Sequence, residues 1–135
     1  MKHGLLDTNI IIYFEKLNPT ELPDISSISA ITLAELTSGV HSAKDPTGRA
    51  DRMNILQRVE KQFDPLPFDE NAAREYGRIY AAVESIGRKP RKRIADQMIA
   101  AVAAANNLPL YTTNVEDYKG LEKLVKVVRV KRPPQ

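Results

Sequence analysis

The sequence contains no cysteine. That excludes disulfides, thiolate metal sites and cysteine nucleophiles, and it suits a reducing compartment, so a cytoplasmic location is expected. No run approaches the roughly 18 consecutive apolar residues of a membrane span. The apolar stretch near the N-terminus is interrupted by Asp7, Thr8 and Asn9, which argues against a secretory signal. No membrane partner is expected. The pattern G-x-x-x-x-G-K-[ST] is missing, so no nucleoside-triphosphate loop is indicated. The two histidines, His3 and His41, lie far apart and lack the paired spacing of a metal motif. Charge of one sign is scarce in excess: 20 basic residues face 17 acidic ones, for a net charge of +3. That balance is compatible with a nucleic-acid partner without requiring one. There is no internal repeat and no low-complexity segment.

What is present is one domain's worth of chain, 135 residues, long enough to bury a core without staples. A single domain over 1–135 is expected, with 130–135 as a fraying tail. Lys2 to Leu6 has the pattern of a strand and Ile10 to Leu17 that of a helix. Ile25 to Ser29 is β-prone, and Ile31 to Val40 suits a helix. Ser42 to Gly48 is polar and turn-rich. Arg49 to Phe63 carries Met53, Leu56, Val59 and Phe63 at helical spacing. Two prolines make Pro65 to Phe68 an edge or irregular extended piece. Asp69 suits an N-cap, Ala72, Tyr76, Ile79, Tyr80 and Val83 form the following stripe, and Gly87 ends it. Ile94 to Asn106 is apolar nearly all round and should be central. Pro109 to Thr112 and Lys126 to Val130 complete the strands. Strands alternating with helices predict an α/β sandwich with a mainly parallel sheet.

Three carboxylates stand among apolar neighbours, where a charge is expensive unless compensated. Asp7 lies in LLDTNIIIYF, Glu35 in ITLAEL and Asp96 in IADQMIAAVAAA. Each has a structural explanation. Asp7 could cap a helix. Thr32 and Glu35 match a capping box. Asp96 could favour the positive end of its helix. A fourth acid, Asp117, follows another strand and could be an exposed turn residue. Together they suggest more, because Asp7 sits at the carboxyl end of a strand, where open α/β sheets place ligands. Two carboxylates ~4 Å apart repel by about 4 kcal/mol at an effective dielectric of 20. A converging cluster must take up protons or a cation, and oxygen ligands point to Mg²⁺ or Mn²⁺.

DTN, then T-x-x-E-L, then AD-x-x-IAA, then L-x-T-x-N-x-x-D-[FY], in this order and spacing, resemble the PIN domain and its VapC-like toxins. Thr113 stands where an arginine is usual, and Tyr118 where phenylalanine is commoner. The resemblance implies a three-layer α/β/α fold, a metal-dependent endoribonuclease, a homodimer and a VapB-like antitoxin. It carries the family's acids onto Asp7, Glu35, Asp96 and Asp117. Asn114 becomes an accessory residue that orients an acid or a water, with Thr8, Asn9 and Thr112 supporting the site.

A divalent ion held by Asp7 and Asp96 would polarise the phosphate and activate a water, with Glu35 or Asp117 accepting its proton or holding a second ion. The loop GRKPRKR places five cations, Arg88, Lys89, Arg91, Lys92 and Arg93, in six positions before the Asp96 helix. It is either a solvated turn or a contact to the RNA backbone. Helices 49–63 and 69–86 are candidates for a dimer surface. Other readings are an RNA-maturation nuclease without antitoxin, and a catalytically silent RNA- or antitoxin-binding module. A phosphatase of the haloacid-dehalogenase type would need a carboxyl at position 9, where Asn9 cannot exchange that proton.

Overall fold

The computed structural model describes residues 1–134. Strand β1 (His3–Leu6) is followed by helix α1 (Thr8–Ile12), strand β2 (Ile25–Ser27), and helices α2 (Ala30–Ser42), α3 (Pro46–Gln62) and α4 (Glu70–Ser85). Helix α5 (Ile94–Ala105) and strands β3 (Leu110–Thr112) and β4 (Val127–Arg129) complete the chain. All pairings are parallel, in the order β2-β1-β3-β4.

Successive strand residues face opposite ways, and this alternation builds the layers. Leu5 and Leu110 face one core with Ile79, Val83, Ile99 and Val102 from α4 and α5. Leu6 and Tyr111 face the other, with Ile10, Ile11, Leu36, Leu56 and Val59 from α1, α2 and α3. The result is the expected helix–sheet–helix sandwich. The sheet is parallel throughout the described residues. The near-continuous apolar face of α5 is explained by burial of Gln97 and of residues 99–103.

Local chemistry sets the boundaries. Asp69 caps α4 by accepting the Ala72 N–H at 3.0 Å, and Gly87 leaves the helix at φ +80°. Helix α5 ends in a Schellman turn: Asn107 adopts φ 54°, Leu108 N–H donates to Ala103 O and Asn107 N–H to Ala104 O. This turns the chain directly into β3.

Several elements differ from the sequence reading. The helix predicted over Ile10 to Leu17 starts at Thr8, because Asp7 caps it, and stops at Ile12, followed by a 3₁₀ turn at Phe14–Lys16. Three consecutive β-branched isoleucines are weak helix formers, so tertiary burial rather than propensity holds this turn. Helix α3 begins at Pro46, with Asp45 as cap and proline at the first position, a start signal hidden in a polar stretch. Leu66 makes only an isolated parallel bridge to Ser29, as two prolines dictate. Val130 is buried, not frayed, and its N–H donates to Thr112 O at 2.8 Å. Lys131 N–H reaches Glu21 Oε2 at 2.9 Å. Gln135, the last residue of the expected tail, lies outside the described residues.

Strand β1 has β2 on one side and β3 on the other, so the connections diverge at its carboxyl end. Such a switch point opens a crevice above the sheet. Asp7 follows β1 there, and Thr113 and Asn114 follow β3.

Candidate active site

Asp7 is both the cap of α1 and a wall of the crevice. Its Oδ1 accepts the Thr8 N–H at 2.7 Å, and its Oδ2 accepts the Thr112 hydroxyl at 2.8 Å. The structural and functional explanations of Asp7 therefore describe one carboxylate held from two sides. Thr112 Oγ1 also accepts the Asn114 N–H at 3.0 Å, so Asn114 joins the network through its main chain.

Glu35 is not part of a capping box. The cap of α2 is Ser29, whose Oγ accepts the Thr32 N–H at 3.2 Å. Glu35 lies a turn further on, where its Oε1 accepts the Thr8 hydroxyl at 2.6 Å. Having given that proton away, Thr8 Oγ1 receives one from the fully buried Thr32 at 3.0 Å. Thr32 thus orients Thr8, which orients Glu35. The sequence did not assign Thr32 this role; Ser29, three residues before it, was the available sign that the cap lay elsewhere.

Asp96 stands in the first turn of α5. Burial pushes its carboxyl up to about 7, reinforced by the negative charges of Asp7, Asp117 and Glu35, while Arg93 opposes the rise. Burial also raises Asp7, and Glu35 adds to it; the bonds from Thr112 and Thr8 and the nearby Tyr118 hydroxyl pull the other way. Asp96 thus feels the charges of all three other predicted acids, and Asp7 feels that of Glu35, so the four carboxylates lie in one neighbourhood. Asp117 is no exposed turn acid: its side chain is only 10% exposed.

Asp7, Thr8, Asn9, Glu35 and Asp96 line an open cleft of about 380 Å³, which Arg52 also lines. Arg52 was not singled out by the sequence; its Nη1 donates to Gly39 O at 2.7 Å, which ties α3 to α2. Tyr118 is almost wholly buried against the acids, and its hydroxyl, near enough to influence Asp7, makes no hydrogen bond of good geometry. Desolvation and the fields of Asp7 and Asp96 keep it protonated.

The basic loop divides. Arg93 Nη1 lies 2.7 Å from Asp117 Oδ1 and 3.7 Å from Asp96 Oδ2. Arg88 pairs with Glu116 at 2.6 Å and donates to its carbonyl at 2.8 Å. Arg88, Lys89, Lys92, Arg93 and Lys119 line a second cleft, about 390 Å³, which shares Asp117 with the acidic site. Arg91 is exposed on the same 3₁₀ turn, Pro90–Arg93. The histidines stay apart: His3 Nε2 meets Ser27 Oγ, and His41 is exposed at the end of α2.

The profile of the PIN domain matches residues 4–123. The chain belongs to the PIN domain family. Within that family it is 37% identical to ribonuclease VapC5 of Mycobacterium tuberculosis, over 94% of this chain and 95% of the relative. It is 30% identical to ribonuclease VapC of Rickettsia bellii, over 89% and 91% of the two chains. A crystal structure of VapBC-5, a toxin–antitoxin system of M. tuberculosis, superposes with a TM-score of 0.85 at 36% identity, covering 96% of this chain and 100% of that one. The VapC resemblance seen in the sequence is therefore sound, and the sheet order and layering are those of a PIN domain.

Among the described residues no group of three His, Cys, Asp or Glu side chains is arranged to hold a metal ion. The chemistry of the PIN site nevertheless suits one. Its donors are all carboxylate oxygens, the charges of its neighbours raise Asp96, and a guanidinium already leans on Asp96 and Asp117. This is a set short of positive charge, and a hard divalent cation is its natural complement.

Proposed function

We propose that this PIN domain is the endoribonuclease toxin of a VapBC-type pair, that it requires Mg²⁺ or Mn²⁺, and that a VapB-like antitoxin restrains it. The observation that carries the reading is the convergence of Asp7, Glu35, Asp96 and Asp117 at the divergence of β1 and β3. The kinship with VapC ribonucleases supports RNA as substrate, and the similarity to a VapBC structure supports the antitoxin. No helix among the described residues is long and apolar enough to cross a membrane.

Asp7 and Asp96 would hold the cation, with Asp117 and Glu35 completing the grip. When bound, the cation supplies Lewis-acid polarisation of the phosphate and lowers the pKa of the attacking water. The chain does the rest. Thr8 and Thr112 fix both oxygens of Asp7, so no reorganisation is needed as charge develops. Glu35, turned into the cleft by Thr8, is placed to take the proton of the water. Asn9, on the cleft wall, supports that arrangement. Lys89, Arg91 and Lys92 meet the RNA backbone beside the acids, where contacts position the strand without reading its sequence.

Purified protein should cleave single-stranded RNA with Mg²⁺ or Mn²⁺ to 5′-phosphate and 3′-hydroxyl ends, and excess chelator should lower the rate by ~100-fold or more. Undiminished cleavage in chelator would overturn the metal-dependent reading. Replacing Lys89, Arg91 and Lys92 together by alanine should flatten the salt dependence. With three phosphate contacts removed, the slope of log K against log[salt] should fall by about 2. An unchanged slope, measured by filter binding, would make the loop a solvated turn.

A further inference from the structure

We propose that Arg93 is a built-in counter-ion of the acidic site, one that a divalent cation displaces into the neighbouring basic cleft. The inference rests on the metal-dependent reading above and adds a competitor within the chain itself.

The geometry is that of a bridge. One guanidinium nitrogen contacts Asp117 at 2.7 Å and approaches Asp96 at 3.7 Å. The two carboxylates are mostly covered, 10% and 23% exposed, whereas the arginine side chain is 50% exposed. The acids are therefore anchored and the cation is the movable partner. Arg93 also borders the second cleft, beside Lys89, Lys92 and Lys119, so a change of rotamer carries its head between them without a backbone rearrangement. Its backbone, at φ −141° and ψ 49°, lies outside the helix that starts at Ile94. Just before it, the buried Gln97 holds the loop by donating from Nε2 to Pro90 O at 2.9 Å. The loop base is fixed, while the Arg93 side chain is half exposed and held only through its contacts to the two acids.

A cation taken up by Asp117 and a guanidinium on the same carboxylate repel each other, so the two compete. Released, Arg93 joins cations placed to meet phosphate, and metal loading thereby prepares the RNA surface. In the unloaded protein the bridge shields the acids from one another.

The test is calorimetric titration of the full chain with MnCl₂ at low salt. Arg93→Gln should bind Mn²⁺ about tenfold tighter than wild type, the effect of removing one charge-assisted hydrogen bond. Arg93→Lys should fall between them. Arg91→Gln, which removes an equal charge from the same loop, should shift affinity less than about twofold. In ¹⁵N spectra of the wild type, the Arg93 Nε–H signal should lose its protection from solvent exchange on saturation with MgCl₂. If the wild type binds Mn²⁺ and Arg93→Gln binds no more tightly, the counter-ion role is wrong and the nuclease reading stands. An equal gain in Arg91→Gln would also overturn it, since the field of the whole loop would then be responsible. If none of the forms binds Mn²⁺, both readings fall.

Discussion

Asp7→Asn is expected to lower RNA cleavage by at least a thousandfold while the protein keeps its secondary structure and cooperative melting. The amide has the size of the carboxylate, and its oxygen can still accept the Thr8 N–H that caps α1. The Thr112 hydroxyl loses its acceptor and must turn, a local change costing about 1 kcal/mol. Against that, the variant no longer buries a charge that desolvation already disfavours. The fold should therefore be little affected. Activity should not survive, because the carboxylate proposed to hold the cation becomes a neutral amide. Losing several kcal/mol of charge stabilisation in the transition state corresponds to three or more powers of ten in rate. Cleavage at saturating Mn²⁺, alongside circular-dichroism melts, is the measurement. Wild-type rates from correctly folded Asp7→Asn would remove Asp7 from the chemistry and leave it as a helix cap.

How well the sequence exposed this site differs from acid to acid, and the reason is distance along the chain. Asp7 and Asp96 were conspicuous because their sequence neighbours are apolar, and both carboxylates are desolvated in the fold. Asp117 gave no such signal. Its neighbours are polar, and its burial comes from α5, whose Asp96 and preceding Arg93 lie more than twenty positions away. Glu35 was ambiguous, since a threonine three residues upstream imitates a cap; only packing shows that Ser29 caps α2 and that Thr32 serves Thr8. The layers were readable from alternation and helical spacing. The early stop of α1 was not, because it depends on how Ile10 and Ile11 seat in the core. The basic loop was visible as charge, but its division into Arg88 bound to Glu116, Arg93 bound to the acids, and the remaining cations facing solvent is a tertiary property.

Asp96→Asn should move stability the opposite way from activity. In the folded protein this carboxyl is raised to about 7 from an ordinary 3.8, by burial first and then by Asp7, Asp117 and Glu35. Between those values the folded chain holds a proton that the unfolded chain releases. Stability contributed by this group is thus present below the lower value and lost as pH rises through the upper one, up to about 4 kcal/mol by pH 8 as an order of magnitude. Asparagine cannot ionise, so the variant escapes this penalty. Without divalent cations, Asp96→Asn should melt several degrees above wild type at pH 8, and the two should converge near pH 4. Mg²⁺ should then stabilise the wild type and not the variant, since only a ligand bound preferentially to the folded state raises the melting temperature. The same acid that costs stability without a cation would hold one, which is why the variant gains stability as it loses cleavage. A metal-free wild type equally stable at pH 5 and pH 8, or an Asp96→Asn variant that melts lower at pH 8, would show that Asp96 carries no such strain and would weaken its assignment as a cation ligand.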